Sequence, residues 1–275
     1  PPLVRYITLR INYRNHRKIC IIDGKEGYVG GFNIGDEYLG LSKKFGFWRD
    51  THIKIKGTAI QGLLWRFSKD WRFATNKDDF NCRIEVPENK GEGKAGVQIV
   101  SSGPDSKWPS VKDGYFKMIT NARERIYIQT PYFIPDDSIF EALRVAGLSG
   151  LDVKVMIPCK PDHPFVYWAG LSYIGELLEA GVKFYTYENG FLHSKTFIMD
   201  DFVTSVGTAN LDIRSFKLNF EVNAFIYDEM VNQKMIDQFH LDLECCKEIT
   251  IEKYAKRSKI VKLKESISRL LSPIL

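Results

Sequence analysis

The stretch NHRKICIID at residues 15–23 decides the fold, because its pattern returns in HSKTFIMD at residues 193–200. Both stretches read His-x-Lys-x4-Asp, and Gly-x2-Asn follows each at the same distance, in GGFN at 30–33 and in GTAN at 207–210. All five shared positions lie 177 residues apart. A single His-x-Lys is a weak signal, but two copies that agree at five positions indicate a duplicated unit. One site built from both halves is therefore expected.

The spacing within each motif predicts which side chains point the same way. Both copies lie in β-branched and apolar runs that are typical of buried strands. Alternate residues of a strand share one face. His16 and Lys18 are therefore expected to project together, and so are His193 and Lys195. These four residues are the central catalytic candidates.

The aspartates of the motifs are expected to have a different task. Asp23 lies seven residues after His16, an odd separation that places it off the shared face, and Asp23-Gly24 is a turn signal. We expect Asp23 and its counterpart Asp200 to brace the strand ends rather than to react.

Two simpler interpretations of the histidines compete with catalysis. A lone strand histidine is commonly a hydrogen-bonded structural residue, but the paired pattern argues against that reading. Histidine and aspartate are also zinc ligands. However, each His has a Lys on the same face, and a charged Lys cannot be a ligand. We therefore expect neither a metal nor another cofactor.

Two histidines, two lysines and two asparagines that converge on one pocket suit a phosphodiester. The lysines, with Asn33 and Asn210, would hold the non-bridging oxygens and offset charge in the transition state. One imidazole would attack phosphorus, and the other would protonate the leaving oxygen. Each imidazole also needs a carboxylate that fixes its tautomer. Asp50 and Glu221 are the candidates, with an ordinary surface position as the alternative for either.

The doubled motif resembles the phospholipase D superfamily, and its surroundings resemble one branch of it, the bacterial cardiolipin synthases. The segments that carry the likeness are RNHRK (14–18), GGFN (30–33), WRDTH (48–52), TPYFIPD (130–136), NLDIRSF (210–216), NFE (219–221) and LLSP (270–273). The resemblance covers essentially the whole chain. It implies transfer of a phosphatidyl group between two phosphatidylglycerol molecules through a phosphohistidine, with release of glycerol and without a metal. It also implies His16 as the nucleophile and His193 as the general acid and base.

Other functions of the same chemistry remain open at this point. A phospholipase D-type hydrolase of phospholipids, or a phosphodiesterase or nuclease, would use the same residues. A nuclease should present a basic groove studded with aromatic residues, whereas residues 1–246 carry 31 Lys and Arg against 31 Asp and Glu. No nucleic-acid partner is therefore expected. The acceptor could be phosphatidylglycerol, phosphatidylethanolamine, another alcohol or water, and the oligomeric state is not predicted.

Strands that alternate with helices predict an α/β fold, in which each half is a mixed β-sheet flanked by helices around a pseudo-twofold active site. Residues 1–90 are interpreted as the first half and residues 91–246 as the second. The first motif starts after only 15 residues, so we expect a truncated first half that lacks roughly 80 residues upstream. The resemblance adds apolar membrane segments further upstream.

The last segment, residues 247–275, is predicted to form a basic amphipathic helix. It holds eight Lys and Arg against three Asp and Glu, a net of +5 that equals the net charge of the whole chain. Its apolar residues recur at three- and four-residue spacing: Ile260, Leu263, Ile267, Leu270 and Ile274. This stripe would either lie on an anionic membrane surface or pack on the second half.

Cysteine usage bears on where the protein works. The five cysteines are odd in number and show no metal-ligand spacing, so a reducing environment on the cytoplasmic side fits best. The resemblance implies the bacterial cell membrane as the location. The longest uncharged apolar stretch, residues 163–175, is shorter than the roughly 20 residues that a spanning helix needs.

Overall fold

A computed structural model describes residues 13–77 and 93–272. The sequence also predicts a strand at residues 3–9 and a polar linker at 76–96; the strand and most of the linker lie outside the described residues. The strands of the described part are β1 (Arg14–Asn15), β2 (Ile19–Ile22), β3 (Glu26–Gly30), β4 (Trp48–Arg49), β5 (His52–Lys56), β6 (Gly96–Ser102), β7 (Arg125–Gln129), β8 (Phe133–Ile134), β9 (Asp152–Pro158), β10 (Lys183–Tyr187), β11 (Phe191–Leu192), β12 (Thr196–Met199), β13 (Val203–Gly207), β14 (Leu211–Asp212), β15 (Asn219–Tyr227) and β16 (Cys246–Ile249). The α-helices are α1 (Ile60–Thr75), α2 (Ser110–Asn121), α3 (Asp137–Leu148), α4 (Pro164–Glu179), α5 (Ile213–Lys217), α6 (Glu229–Glu244), α7 (Ile251–Ala255) and α8 (Lys259–Leu270).

A nine-stranded mixed sheet organises the molecule. Its order is β1-β15-β13-β12-β7-β9-β10-β16, and β6 pairs with β15 beside β1. Strands β7, β9 and β10 run parallel, and α3 and α4 provide the crossovers that parallel strands require. Antiparallel β12 and β13 carry the second motif. The predicted α/β class with a mixed sheet is confirmed.

Helices cover both faces of this sheet. On one face, Ile128 and Phe184 pack with Leu143 of α3 in the largest apolar cluster. On the other face, Ile198 packs with Phe239 of α6. Since both faces are covered, the central strands read as continuous apolar runs instead of alternating ones.

The first half packs against the same sheet through its own small layer. Strands β2, β3 and β5 form an antiparallel sheet. Val29 of β3 and Leu63 of α1 join one apolar cluster with Val222 and Ala224 of β15. Burial of these side chains joins the two halves into one core.

Two short parallel pairs connect the halves where the motifs lie. Strand β1 pairs with β15, and the backbone N–H of His16 donates to the carbonyl of Phe220 at 3.0 Å. Strand β4 pairs with β11, and the N–H of His193 donates to the carbonyl of Arg49 at 2.8 Å. Each motif histidine is therefore held beside a strand of the opposite half.

The tail differs from the single helix expected over residues 247–275. It begins as β16, which pairs antiparallel with β10 at the sheet edge, and continues as the short helix α7 and then α8. Two N-caps cause the division, because Thr250 accepts from the N–H of Lys253 and Ser258 accepts from the N–H of Val261. In the part of the chain that the structure describes, no helix is both long and apolar enough to cross a bilayer.

Candidate active site

The first motif places His16 against a buried carboxylate of the second half. Its Nδ1 lies 2.9 Å from Oε1 and 3.0 Å from Oε2 of Glu221. The Glu221 side chain is fully buried, whereas that of His16 keeps 28% exposure. Because an ionised carboxylate only accepts, Nδ1 carries the proton and donates it to Glu221. That tautomer leaves Nε2 as the free nitrogen.

The second motif repeats the arrangement with the halves exchanged. Nδ1 of His193 lies 2.7 Å from Oδ2 of Asp50, and both side chains are buried. Burial, with the ammonium of Lys195 next in effect, lowers the pKa of His193 to about 4. Although burial opposes ionisation of Asp50, the hydrogen bond from His193 keeps the pKa of that carboxyl below its usual value. At neutral pH the pair is a neutral imidazole on a carboxylate.

Each motif lysine hydrogen-bonds the backbone of its own motif histidine. Nζ of Lys18 donates to the carbonyl of His16 at 2.7 Å, and Nζ of Lys195 donates to the carbonyl of His193 at 2.5 Å. Burial lowers the pKa of Lys18 to about 8 and that of Lys195 to about 7, while Asp50 and Glu221 act in the opposite direction on both. Each lysine is thus under the influence of carboxylates from both halves, so the two motifs share one electrostatic site.

The position after the motif glycine is asymmetric between the halves. In the second half it is Thr208, whose hydroxyl donates to Glu221. In the first half it is Gly31, where an added Cβ would lie only 2.2 Å from Oδ1 of Asp50. The absence of a side chain at residue 31 therefore lets Asp50 approach the backbone and reach His193.

The two candidate substrate-binding asparagines have different surroundings. The amide of Asn33 donates to the hydroxyl of Tyr38, whose ring centroid lies 5.7 Å from that of His193. The amide of Asn210 donates to Oδ2 of Asp212 at 3.2 Å. Its Oδ1 is buried without a partner among the described residues. Both asparagines contact residues around the site.

The motif aspartates lie at the far ends of the motif strands. The carboxylate of Asp200 accepts from the N–H groups of Arg123, Glu124 and Arg125, at 2.9–3.3 Å, where β7 begins. Asp23 occupies a turn with φ of 52°. The contacts of Asp200 tie two strands together and do not involve a motif histidine.

Sequence reasoning missed a buried ion pair that supports the strand before Asp50. The guanidinium of Arg49 makes bidentate contact with Asp242 of α6, with Nε–Oδ1 at 2.8 Å and Nη2–Oδ2 at 2.7 Å. Gln129 also donates to Asp242, at 2.7 Å. No local sequence pattern predicts this pair, because its two residues are 193 positions apart.

Asp212 was missed as well, although it had a local signal. Its carboxylate accepts from the N–H of Ser215 at 2.5 Å as the N-cap of α5. An Asp followed three residues later by Ser at a strand end is consistent with such a cap. Burial raises the pKa of Asp212.

Aromatic rings surround His193, and an apolar loop lies beside them. The indole of Trp48 lies 5.1 Å from the imidazole, centroid to centroid. The loop between Asn33 and Asp50 is six residues longer than its counterpart between Asn210 and Glu221. It exposes four large apolar side chains to solvent: Ile34, Leu39, Leu41 and Phe47.

The two prolines of residues 131–135 predict a loop, whose aromatic residues would either line an approach for acyl chains or pack in the core. The structure instead shows strand β8 there, which pairs with β14. Phe133 and Ile134 are buried, so these two residues pack in the core. Tyr132 differs from them, because its hydroxyl donates to Asp162 just before α4.

Among residues 13–77 and 93–272, no group of three or more His, Cys, Asp or Glu side chains is arranged so that it could hold a metal ion. The two imidazoles instead bond separate carboxylates and lie near ammonium groups.

A mixed α/β sheet with two His-x-Lys motifs, each histidine on a carboxylate of the other half, agrees with the resemblance to the phospholipase D superfamily. Residues 115–243 match the family described as "Cardiolipin synthase, PLD-like domain". The fold matches that of phosphatidylserine synthase from Haemophilus influenzae Rd KW20 with a TM-score of 0.73, over 97% of this chain and 72% of that one, at 16% identity. The chain therefore has the fold of that protein over nearly its whole length, and residues 115–243 are similar to that family.

Sequence relatives are similar to the whole chain at higher identity. The whole chain is 57% identical over 276 residues to the major cardiolipin synthase ClsA of Bacillus subtilis (strain 168) and covers 57% of it. It is 56% identical over 277 residues to a cardiolipin synthase of Listeria monocytogenes serotype 4a (strain HCC23), again covering 57% of that protein. The chain thus spans little more than half the length of these relatives. The resemblance seen in the motifs is confirmed.

Proposed function

We propose that the protein is a phosphatidyltransferase that makes cardiolipin from two phosphatidylglycerol molecules. The observation that carries the proposal is the crossed arrangement of the histidines, His16 on Glu221 and His193 on Asp50. Identity of 56–57% to cardiolipin synthases over the whole chain supports this substrate class.

The first step forms a phosphohistidine. Nε2 of His16 attacks phosphorus, and the bond from phosphorus to the glycerol oxygen breaks. The departing oxygen takes a proton from His193, and free glycerol leaves. Glu221 stabilises the positive charge that develops on the first imidazole, in the manner of the aspartate of a hydrolytic triad.

The second step transfers the phosphatidyl group. His193, now neutral, accepts the proton of a glycerol hydroxyl on a second phosphatidylglycerol. The alkoxide oxygen attacks phosphorus, the phosphorus–nitrogen bond breaks, and His16 is restored. Lys18 and Lys195, with Asn33 and Asn210, stabilise the non-bridging oxygens in both steps. Asp23 and Asp200 hold the strand ends and take no part in bond making.

His193 becomes protonated only when the substrate binds. In the free protein its pKa lies near 4, partly because of the ammonium groups of Lys195 and Lys18. An anionic phosphodiester bound between these lysines offsets their charge and raises the pKa of the imidazole. Substrate binding thereby prepares the general acid.

We also propose how the chain is organised and where the protein acts. Residues 1–90 and 91–246 each supply one motif, and residues 247–275 form the tail. The protein acts at the bacterial cell membrane, with its catalytic region on the cytoplasmic side. Phosphatidylglycerol within an anionic membrane surface is its substrate.

The test is incubation with labelled phosphatidylglycerol and identification of products by mass. Cardiolipin with an equal amount of glycerol supports transfer, whereas phosphatidic acid as the sole lipid product means that water is the acceptor. Quenching His193→Ala during turnover tests the order of the histidines, since the phosphatidyl label should remain on His16. Label found only on His193 in the His16→Ala variant would reverse the two roles.

A further inference from the structure

Helix α8 is amphipathic, but it turns its polar side to the protein. Its buried residues are Glu265 and Ser268. Its four large apolar side chains are exposed by 67%, 61%, 50% and 81%, in the order Ile260, Leu263, Ile267 and Leu270. We call these four residues the apolar stripe. Of the two alternatives derived from the sequence, packing of the stripe on the second half is therefore wrong.

Specific polar contacts fix this orientation along α4. The guanidinium of Arg257 bonds the buried carboxylate of Glu265 at 3.0 Å. Arg269 donates to the carbonyl of Ser172 at 3.2 Å and lies 4.4 Å from the centre of the Tyr173 ring. Turning the stripe inward would expose the buried Glu265 and break the contacts of Arg269 with α4.

The stripe is bordered by cations. Lys259 precedes Leu263 by four residues and Lys264 follows Ile260 by four, so both lie along its edges. Residues 247–275 as a whole carry a net charge of +5, whereas residues 1–246 are neutral. An apolar stripe about 15 Å long between lysines is complementary to apolar chains beneath anionic head groups.

The stripe starts at the end of the molecule that carries the site. Lys264 lies 5.4 Å from the ring of Trp168, and Arg269 reaches Ser172. The later residue of α8, Arg269, contacts the later residue of α4, Ser172, so the two helices run parallel. The two helices thus begin at the same end, where Asp162, just before α4, bonds Tyr132 next to the pair β8–β14.

We infer that the apolar stripe of α8 is a docking surface for the interface of an anionic lipid bilayer. The inference rests on the proposed function, because an anionic phospholipid is the substrate assumed there. Docking would keep the site beside the membrane that supplies both substrates. The basic residues would attract the protein from solution to the anionic surface, and the apolar stripe would insert into the bilayer interface.

Vesicle flotation with purified protein tests this docking. The stripe variant is Leu263→Gln with Ile267→Gln, and the matched control is Met230→Gln with Leu241→Gln, two exposed apolar residues of α6. Vesicles consist of phosphatidylcholine alone or with phosphatidylglycerol. We expect binding to need phosphatidylglycerol and to fall with salt. We expect it to drop roughly tenfold or more in the stripe variant, with the control unchanged.

A charge variant of the two bordering lysines, Lys259→Gln with Lys264→Gln, should also weaken binding by roughly tenfold. Equal binding by all variants, or no binding by the parent protein, would overturn the inference. So would a parent dimer that the stripe variant makes monomeric, because the stripe would then meet a second copy. A large loss of thermal stability in the stripe variant would likewise show that the stripe packs on protein.

Transfer activity in detergent micelles separates this inference from the proposed function. If the stripe variant retains transfer activity and still floats with vesicles, the docking inference is refuted and the proposed transferase function stands. Loss of transfer in the parent protein, with stripe-dependent flotation, refutes the transferase and leaves the docking.

Discussion

Nδ1 of His193 lies 2.7 Å from Oδ2 of Asp50, a residue of the other half and 143 positions earlier in the chain. The mirror contact joins His16 to Glu221 across 205 positions. Neither half carries both members of a pair. The site can therefore form only when the halves dock, and docking sets the orientation of both imidazoles.

The first prediction concerns the histidines and metal. His16→Ala and His193→Ala should each abolish transfer, because one removes the nucleophile and the other removes the group that accepts the proton of the second alcohol. A chelator should leave the parent activity unchanged. The measurement is radiolabel transfer with and without EDTA. Activity that EDTA removes and one added metal restores would contradict the proposed chemistry.

The second prediction concerns the crossed carboxylates. Asp50→Asn and Glu221→Gln should each lower kcat about 10²- to 10⁴-fold, because an amide no longer fixes the imidazole tautomer or stabilises its charge. Steady-state kinetics measure the loss. Glu141→Gln serves as control, since that carboxylate pairs with Arg144 on an exposed helix surface. A change confined to KM would mean that the carboxylates act only in binding.

The third prediction concerns Gly31. Gly31→Ala should lower activity by about 100-fold, because the new Cβ would meet Asp50 at 2.2 Å and push it from His193. Gly93→Ala is the control, since nothing lies within 4 Å of a Cβ there. Kinetic assays of both variants, with melting temperatures, make the comparison. Full activity in Gly31→Ala would show that Asp50 has room to move.

The fourth prediction concerns pH. Burial lowers the pKa of Lys195 to about 7 and that of Lys18 to about 8, so both lose their charge as pH rises through this range. The kcat/KM, which reports on the free protein, should fall over the same interval.

NMR titration of His193 should show its low pKa rising when inorganic phosphate binds. If the pKa of His193 stays near 4 with phosphate bound, His16 and not His193 would be the general acid.

The fifth prediction concerns how the halves are held together. Asp242→Asn should lower the free energy of unfolding by about 3–5 kcal/mol, because Arg49 would be left buried without its charge partner. The exposed Arg144–Glu141 pair should contribute only about 0–1 kcal/mol. Denaturant unfolding of Asp242→Asn and Glu141→Gln gives both values. Equal effects would mean that the buried pair is not a constraint on β4.

Several features followed from the sequence because they depend on short-range periodicity. The expected shared face of His16 and Lys18 rests on a spacing of two residues, and the α/β class rests on apolar runs with the periods of strands and helices. The carboxylates Asp50 and Glu221 were named as candidates from their position after the motif asparagines. Their surface alternative remained open, because spacing along the chain does not measure distance in space.

Only the tertiary structure decided the long-range relationships. It placed each histidine on the carboxylate of the opposite half, and it joined Arg49 to Asp242 across 193 residues. It also decided which way α8 faces. Periodicity defines an apolar stripe but not what covers it, and here Glu265 is buried because Arg257 reaches its carboxylate. The burial of Glu265 beside Arg257, together with the bond from Arg269 to the carbonyl of Ser172 on α4, turns the apolar stripe to solvent.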